Sequence, residues 1–505
     1  MGGNCRSFLL HATSTKRGTY GIILSRYATE ALRKFMIDHS QFQSPFTWRY
    51  GSAAMRSIWS EEHKRRLWRR IWVALAQAQR EAGLVGAEQV DDLHAHIDHI
   101  DVARALEIEA RIHHDLMAEL QVFAEQCAIG GGIIHLGATS ADIEDNADAL
   151  RIREALQLIL TELDALLARF AERIDELAAV PTIAFTHLQP AEPTTMGYRL
   201  CLYAQDLLED RAAVERMHQQ IRGKGIKGAV GTSASYADLL DQTPLSPAAL
   251  EARVMAALDL PSYPIAGQVY PRKQDWQLVT TLAGLASSLS KFAFDLRLLQ
   301  SPLSGEWRES FGAAQVGSSA MPFKRNPIQA EKLNSLGRLV ASLVSTVWNN
   351  ASASLLERTL DDSANRREIL PVAFLAIDEM LAVSKRLLDA LQIERAAADH
   401  LLERYGLFAA VERVLMAAAR AGADRQAMHE HLREMSMKAW QSVKVDEPNP
   451  LPEMLATSPL LQRYLSVETI HQLLDARTYT GDAPERARQF AAAIRSRLHH
   501  RLEES

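Results

Sequence analysis

Between Ala141 and about Val180, apolar residues return every three or four positions: Ile143, Ala147, Leu150, Leu156, Leu160, Leu163, Leu167, Phe170, Ile174 and Leu177. That spacing puts them on one stripe of an α-helix. No Gly or Pro interrupts the stretch before Pro181, and a helix of that length spans roughly 60 Å. Three more such patterns follow. One runs from about Arg272 to Leu299 through Leu278, Leu282, Leu285, Leu289, Phe292 and Leu296. The next follows Pro327, with Leu333, Leu336, Leu339, Leu343 and Val347. The last runs from Ser363 to Leu391, with Pro371 as an expected early kink. Strand alternation is scarce. Stripes this long can be buried only against one another, so the pattern predicts an all-α protein built on a central long-helix bundle. The number and length of the helices suggest a bundle that continues across subunits.

Composition narrows the class. At 505 residues the chain can hold two or three domains and a large core. Its 47% hydrophobic and 23% charged residues are ordinary for a soluble globular protein. A net charge of −6 argues against nucleic acid or a membrane surface as partner. No uninterrupted apolar run reaches spanning length. Cys5, Cys127 and Cys201 have neither metal-ligand spacing nor a disulfide framework, so a reducing compartment, the cytoplasm, is expected. Residues 1–35 stand apart. Arg6, Lys16, Arg17 and Arg26 precede the first acid, Glu30, which resembles an organelle-targeting composition; Met36 as the working start is the preferred alternative. The opening MGGNCR lacks the Ser or Thr of a myristoylation signal, because Arg6 stands in its place.

The polar stretches between helices hold the candidate chemistry. In IIHLGATSADIEDN, Thr139 and Ser140 stand just before the first long helix. Ser140 is the expected N-cap, with Asp142 behind it, and the same hydroxyls and N–H groups suit anion capture. FTHLQPAEPTT puts His187, flanked by Thr186 and Gln189, in a Pro-bounded connection, as a candidate acid. EARIHHDLMAEL offers His113, His114 and Asp115, which fit a solvated helix face as readily as a site. ERTLDDSANRREIL reads as a helix start at Asp361, Asp362 and Ser363. Ser363 and Arg367 share a face, and Arg358 lies just upstream. This set suits a phosphate, with a salt-bridged cap as the alternative. QVGSSAMPFKRNPIQAEK has no regular period. Ser318 or Ser319 is a candidate base or nucleophile, provided that cations such as Lys324 and oriented donors stabilise its alkoxide. No P-loop, dinucleotide fingerprint, nucleophile elbow or metalloprotease motif is present. The residues alone describe a helical enzyme for a small anionic substrate, without an evident cofactor or metal.

Three segments carry a resemblance. GSSAMPFKRNP is similar to the signature loop of the fumarate-releasing lyases, the fumarase/aspartase superfamily. HLGATSADIEDN and THLQPAEPTTMG resemble that superfamily's other active-site segments, in the same order. Lys324-Arg325-Asn326, GQVYPRK at Gly267–Lys273, SPFTWRYGS near the front and, above all, ERTLDDSANRR resemble the adenylosuccinate lyase family. The likeness covers roughly Ser44 to the end.

The resemblance implies anti β-elimination of fumarate from purine nucleotide precursors, with no metal or cofactor. It makes Ser318 the base and His187 the acid. Lys324, Asn326, Thr139 and Ser140 would hold the succinyl carboxylates. Arg49, Tyr50, Arg358, Ser363 and Arg367 would bind the phosphate and its surroundings, and His114, Asp115, Thr186 and Gln268 would touch the substrate further. It also implies a homotetramer with shared active sites and domains at 36–139, 140–391 and 392–505, behind the 1–35 extension. His113 departs from the family's usual Arg, and Lys332 and GTSAS at Gly231–Ser235 vary too, which leaves the choice between purine substrates open. Another lyase for a succinyl-amine substrate, or a non-catalytic structural relative, stays open at this point.

Overall fold

The computed structural model describes residues 40–312 and 314–504. The proposed start at Met36 and the basic segment before it lie outside the described residues. The chain divides into two compact units, Met1–Tyr50 and Gly51–Ser505. In the first, a 3-10 turn at Pro45–Thr47 is capped by Ser44, and the Arg49 guanidinium lies 5.6 Å and 6.0 Å from the Trp48 and Tyr50 ring centres.

The second unit is mostly helical. It opens with α1 (Ala53–Ile58), α2 (Glu61–Glu81), α3 (Ala87–Ala95), α4 (Val102–Ile112) and α5 (Asp115–Gln126). The bundle follows: α6 (Ser140–Leu177), α7 (Met196–Gln220), α10 (Lys273–Gln300), α11 (Ile328–Ser352) and α12 (Asp361–Asp389), with the short α8 (Ala234–Leu240) and α9 (Pro247–Ala257) between α7 and α10. Beyond it come α13 (Arg395–Leu401), α14 (Leu407–Arg420), α15 (Arg425–Lys444), α16 (Leu451–Ala456), α17 (Val467–Leu473) and α18 (Ala483–Glu504). The four long patterns read from the sequence are α6, α10, α11 and α12. No helix among the described residues is long and apolar enough to cross a membrane.

The stripe predicted on α6 is the core. Ile143, Ala147, Leu156, Leu163, Leu167, Phe170 and Ile174 are fully buried. Phe292 of α10 meets Phe170 and Tyr203 edge-on, at 5.5 Å and 5.4 Å, joining α6, α10 and α7. Each such pair is worth about 0.5–1.5 kcal/mol beyond its buried area. Gly337 lets α11 close on α10, since a Cβ there would stand 2.1 Å from Ser290 Oγ. Pro371 sits inside α12, and the helix continues through it. It removes the N–H that the Arg367 carbonyl would otherwise receive.

Strands are few, but one hairpin was not anticipated. Pro181–Thr186 (β1) and Gln189–Thr195 (β2) pair antiparallel, with Thr186 opposite Gln189. A second small sheet pairs Trp307–Arg308 (β3) with Gln392–Ile393 (β4).

Helix direction decides what can meet. The 38 residues of α6 span about 57 Å. At its N-terminal end, Asp145 pairs at 3.1 Å with Arg272, just before α10, and Arg272 also pairs with Asp362 in the first turn of α12. Both helices therefore start where α6 starts. At the far end, Arg169 pairs with Asp389 at 3.3 Å, and Arg173 donates to the Leu391 carbonyl at 2.9 Å. There too Glu306, just beyond α10, accepts from Thr182 of β1.

Candidate active site

The candidate residues of the larger unit fall into two groups, one at each end of α6. At the N-terminal end, Thr139 and not Ser140 is the cap. The Thr139 amide donates to Asp142 Oδ2 at 3.1 Å, and Asp142 stands at N3, so the two close a reciprocal box. Asp142 sits three positions after Thr139, the spacing the box requires; Ser140 would have placed Ile143 there. Ser140 instead begins the helix, with its hydroxyl 3.4 Å from His114 Nε2. His114 caps α5, its Nδ1 accepting from the Met117 amide at 3.4 Å. In the neutral ring that leaves the proton on Nε2, facing Ser140. His113 ends α4 in the left-handed region.

Asp115 pairs with Arg367 at 2.8 Å and accepts from the Leu116 amide at 2.8 Å. Burial would raise its carboxyl, but Arg367 outweighs burial and holds it below the usual range. Asp115, Ser363 and Arg367 line one cavity of about 140 Å³. That is far below the roughly 300–1,000 Å³ of a site enclosing a whole small ligand. Gln268 and Arg358 come together nearby, because the Gln268 amide donates to the Glu357 carbonyl at 3.1 Å.

Two features of this end escaped sequence reading. His135, four residues before Thr139, accepts on Nδ1 from Trp72 Nε1 at 3.0 Å, and burial lowers its pKa while Asp142 opposes the shift. Asp142 is also a hub. Its Oδ1 takes Lys224 Nζ at 2.5 Å and the Lys227 amide at 3.1 Å, and its Oδ2 takes the Tyr236 hydroxyl at 3.2 Å. Lys224 is fully buried, and burial lowers its pKa against the pull of Asp142. The signal was present in GKGIKG, two lysines among glycines that pack too closely to be surface charge. Breaking a buried pair by removing one partner costs about 3–5 kcal/mol. A Lys224→Met variant is expected to lose that much in urea unfolding. A loss under about 1 kcal/mol would mean that the remaining donors satisfy Asp142 alone.

The second group lies at the far end. In the hairpin, His187 and Leu188 form a two-residue turn with φ of 53° and 58°. Both angles are positive, the type I′ geometry that favours Asn-Gly and costs other residues of order 1–3 kcal/mol each. The hairpin went unread because its turn lacks those residues. It projects His187 into solvent, beside the exposed Thr186. In the loop before α11, Ser318 Oγ accepts from the Ala320 amide at 3.3 Å and the Met321 amide at 3.0 Å. Asn326 Nδ2 donates to the Gly317 carbonyl at 3.1 Å and ties the loop shut. A Cβ on Gly317 would stand 2.1 Å from the Lys324 carbonyl. Lys324 itself is exposed. Gln300, the last residue of α10, donates to the Arg325 carbonyl at 3.2 Å, which fixes this loop at the far end of the bundle. Among the described residues no hydrogen bond or ion pair joins the two groups.

Arg49 and Tyr50 belong to the Met1–Tyr50 unit. Away from both groups, Asp92, His96 and Cys127 bring potential metal-ligand atoms within 4.8 Å, which sequence spacing does not reveal. Asp92 Oδ2 is already taken by the Ile129 and Gly130 amides, each at 2.8 Å, and burial pushes the Cys127 thiol up to about 11, away from a ligand thiolate.

Comparison with known proteins identifies the family. The family profile described as Lyase matches residues 48–341, and that described as Adenylosuccinate lyase C-terminus matches 406–490. Adenylosuccinate lyase of Saccharomyces cerevisiae is 36% identical over 90% of this chain and 95% of its own length. The enzyme named so in Pyrococcus abyssi is 35% identical over 87% and 95%. Among solved structures, 3-carboxy-cis,cis-muconate lactonizing enzyme from Pseudomonas putida superposes with a TM-score of 0.79 at 24% identity, covering 91% of this chain and 100% of that one. Fumarate lyase from Mesorhizobium sp. BNC1 gives 0.77 at 21%, covering 90% and 99%; at these identities both show the fold alone. With relatives so named matching it nearly end to end, the chain belongs to the adenylosuccinate lyase family, lyases that release fumarate.

Proposed function

We propose that this chain removes fumarate from adenylosuccinate to leave AMP, and from the succinyl-aminoimidazole carboxamide ribotide of purine nucleotide synthesis. Ser318 Oγ, as alkoxide, takes the Cβ proton. The electron pair left on Cβ delocalises into the adjoining carboxylate. It then forms the double bond as the C–N bond breaks, while His187 delivers a proton to the departing nitrogen. The observation that carries this reading is the setting of Ser318. A serine is a poor base, and two backbone N–H groups aimed at its oxygen are the donors an alkoxide needs.

A proton beside a carboxylate is weakly acidic, so charge must be met where the dianion forms. Lys324, Thr139, Ser140 and the second amide hydrogen of Asn326 take that task. Ser363, Arg367, Arg358, Arg49 and Tyr50 bind the phosphate and its surroundings. His114, Asp115, Thr186 and Gln268 complete the contacts.

The same reading makes the protein a homotetramer with shared sites, its domains meeting near Thr139 and Leu391, in a cytoplasmic setting. Its support is the separation of the two residue groups by a helix about 57 Å long. Large apolar residues also stand exposed beside both groups: Leu188 at 70%, Phe323 at 82% and Leu356 at 94%. Purified protein given adenylosuccinate is expected to release one fumarate per substrate consumed, followed by a coupled fumarate assay. A folded, assembled protein that releases none overturns the assignment.

A further inference from the structure

One carboxyl in the wall of the Arg367 cavity has no hydrogen bond or ion pair among the described residues. Asp115 has Arg367 at 2.8 Å. Asp148 has Arg151 at 2.6 Å and Arg366 at 3.3 Å, and Asp145 has Arg272 at 3.1 Å. Glu61, on α2, has Lys64 at 2.7 Å. Glu144 lines the same cavity from the second turn of α6, and no hydrogen bond or ion pair among the described residues reaches it. Asp145 and Asp148 adjoin it on its own helix, Asp115 faces it from α5, and Arg367 faces it from α12. Glu61 and Lys64 from α2 and Arg366 from α12 complete the charged wall.

We propose that Glu144 is a proton-coupled contact of the phosphate subsite: it is neutral when the phosphate is bound and donates its hydrogen to a phosphate oxygen, so that nucleotide binding takes a proton from solvent. This rests on reading Ser363 and Arg367 as that subsite. The balance is one proton moved from water to one carboxylate oxygen, with no covalent change.

The electrostatics favour it. Burial first, then Asp115, Asp145 and Asp148, push the Glu144 carboxyl up to about 7, with Arg367 opposing. A dianion arriving beside it adds like charge and engages Arg367, and both effects favour the neutral acid. An ionised Glu144 would repel the phosphate that Arg367 attracts. The neutral acid instead supplies a donor, as a buried phosphate oxygen requires.

The test is calorimetric titration of the native protein with AMP at pH 7, in buffers of differing ionisation enthalpy, beside Glu144→Gln and Glu144→Ala. The native protein is expected to take up about half a proton more than either variant, since half of its Glu144 is already neutral near pH 7. The difference cancels the titration of AMP's own phosphate. Adenosine should show no such difference. Between pH 7 and 8 the native affinity for AMP should fall about five- to tenfold relative to Glu144→Gln. Equal proton uptake in native and Gln proteins would overturn the proposal, as would a Gln variant weakened equally at every pH. An Arg367→Met variant separates the two ideas. If it loses AMP affinity and keeps adenosine affinity, the phosphate subsite stands whatever Glu144 does. If it loses both alike, the subsite reading itself fails.

Discussion

A Ser318→Ala variant is expected to release fumarate from adenylosuccinate about 10²–10⁴-fold more slowly in kcat, with KM near native. The side chain removed is the proton acceptor and, in the proposed chemistry, nothing else; no carboxylate or phosphate contact goes with it. The Ala320 and Met321 amides, at 3.3 Å and 3.0 Å from Ser318 Oγ, are fixed by the loop backbone and would remain. Hydrogen bonds to an ionised oxygen are roughly twice as strong as neutral ones, so these donors favour the alkoxide over the alcohol. The residues' own chemistry left Ser318 and Ser319 equivalent and the family resemblance named Ser318; among the described residues only Ser318 is given these donors, which favours that choice. Ser319→Ala is therefore expected to keep a near-native rate in the same steady-state assay. A loss of less than about tenfold in Ser318→Ala would place the base elsewhere. The next residue to test would be His114, whose Nε2 lies 3.4 Å from Ser140 Oγ.

The bundle was legible because periodicity reports burial directly. The stripe from Ile143 to Leu177 is buried in α6 as its spacing requires, and the pattern after Pro327 becomes α11, starting at Ile328. What spacing cannot report is which helix ends meet. Thr139, His187 and Ser318 read as three loops between helices, and nothing local says that the first lies a whole helix away from the other two. That follows from ion pairs such as Arg272 with Asp145 and Arg169 with Asp389, which depend on the packed bundle. Partner choice was illegible for the same reason. In ADIEDNAD, Asp142, Glu144, Asp145 and Asp148 all look like acids suited to the start of a helix. Packing turns the first into a buried hub, pairs the last two with arginines, and leaves Glu144 alone among the described residues.

Two inactive variants should restore each other when mixed. His187→Ala removes the proposed acid at one end of the bundle, and Arg367→Ala removes a proposed phosphate contact at the other. Each alone is expected to lose most activity, the first in kcat and the second in KM. If every site were built within one chain, a mixture would hold only defective sites. If the two positions serve one site, as proposed, the roughly 57 Å of α6 between them means that the site takes them from different copies. After denaturant dissociation and joint refolding, a site receives a native segment at each position with probability one half, independently. Roughly a quarter of the sites then regain both, provided that assembly does not discriminate between the variants. The measurement is fumarate release by the co-refolded mixture, beside each variant refolded alone and the two mixed without dissociation. Recovery only after joint refolding would place the acid and the phosphate contact on different copies. An inactive mixture, with size-exclusion chromatography confirming mixed oligomers, would mean that His187 and Arg367 do not share a site, and the pairing of the acid with that phosphate cavity would have to be abandoned.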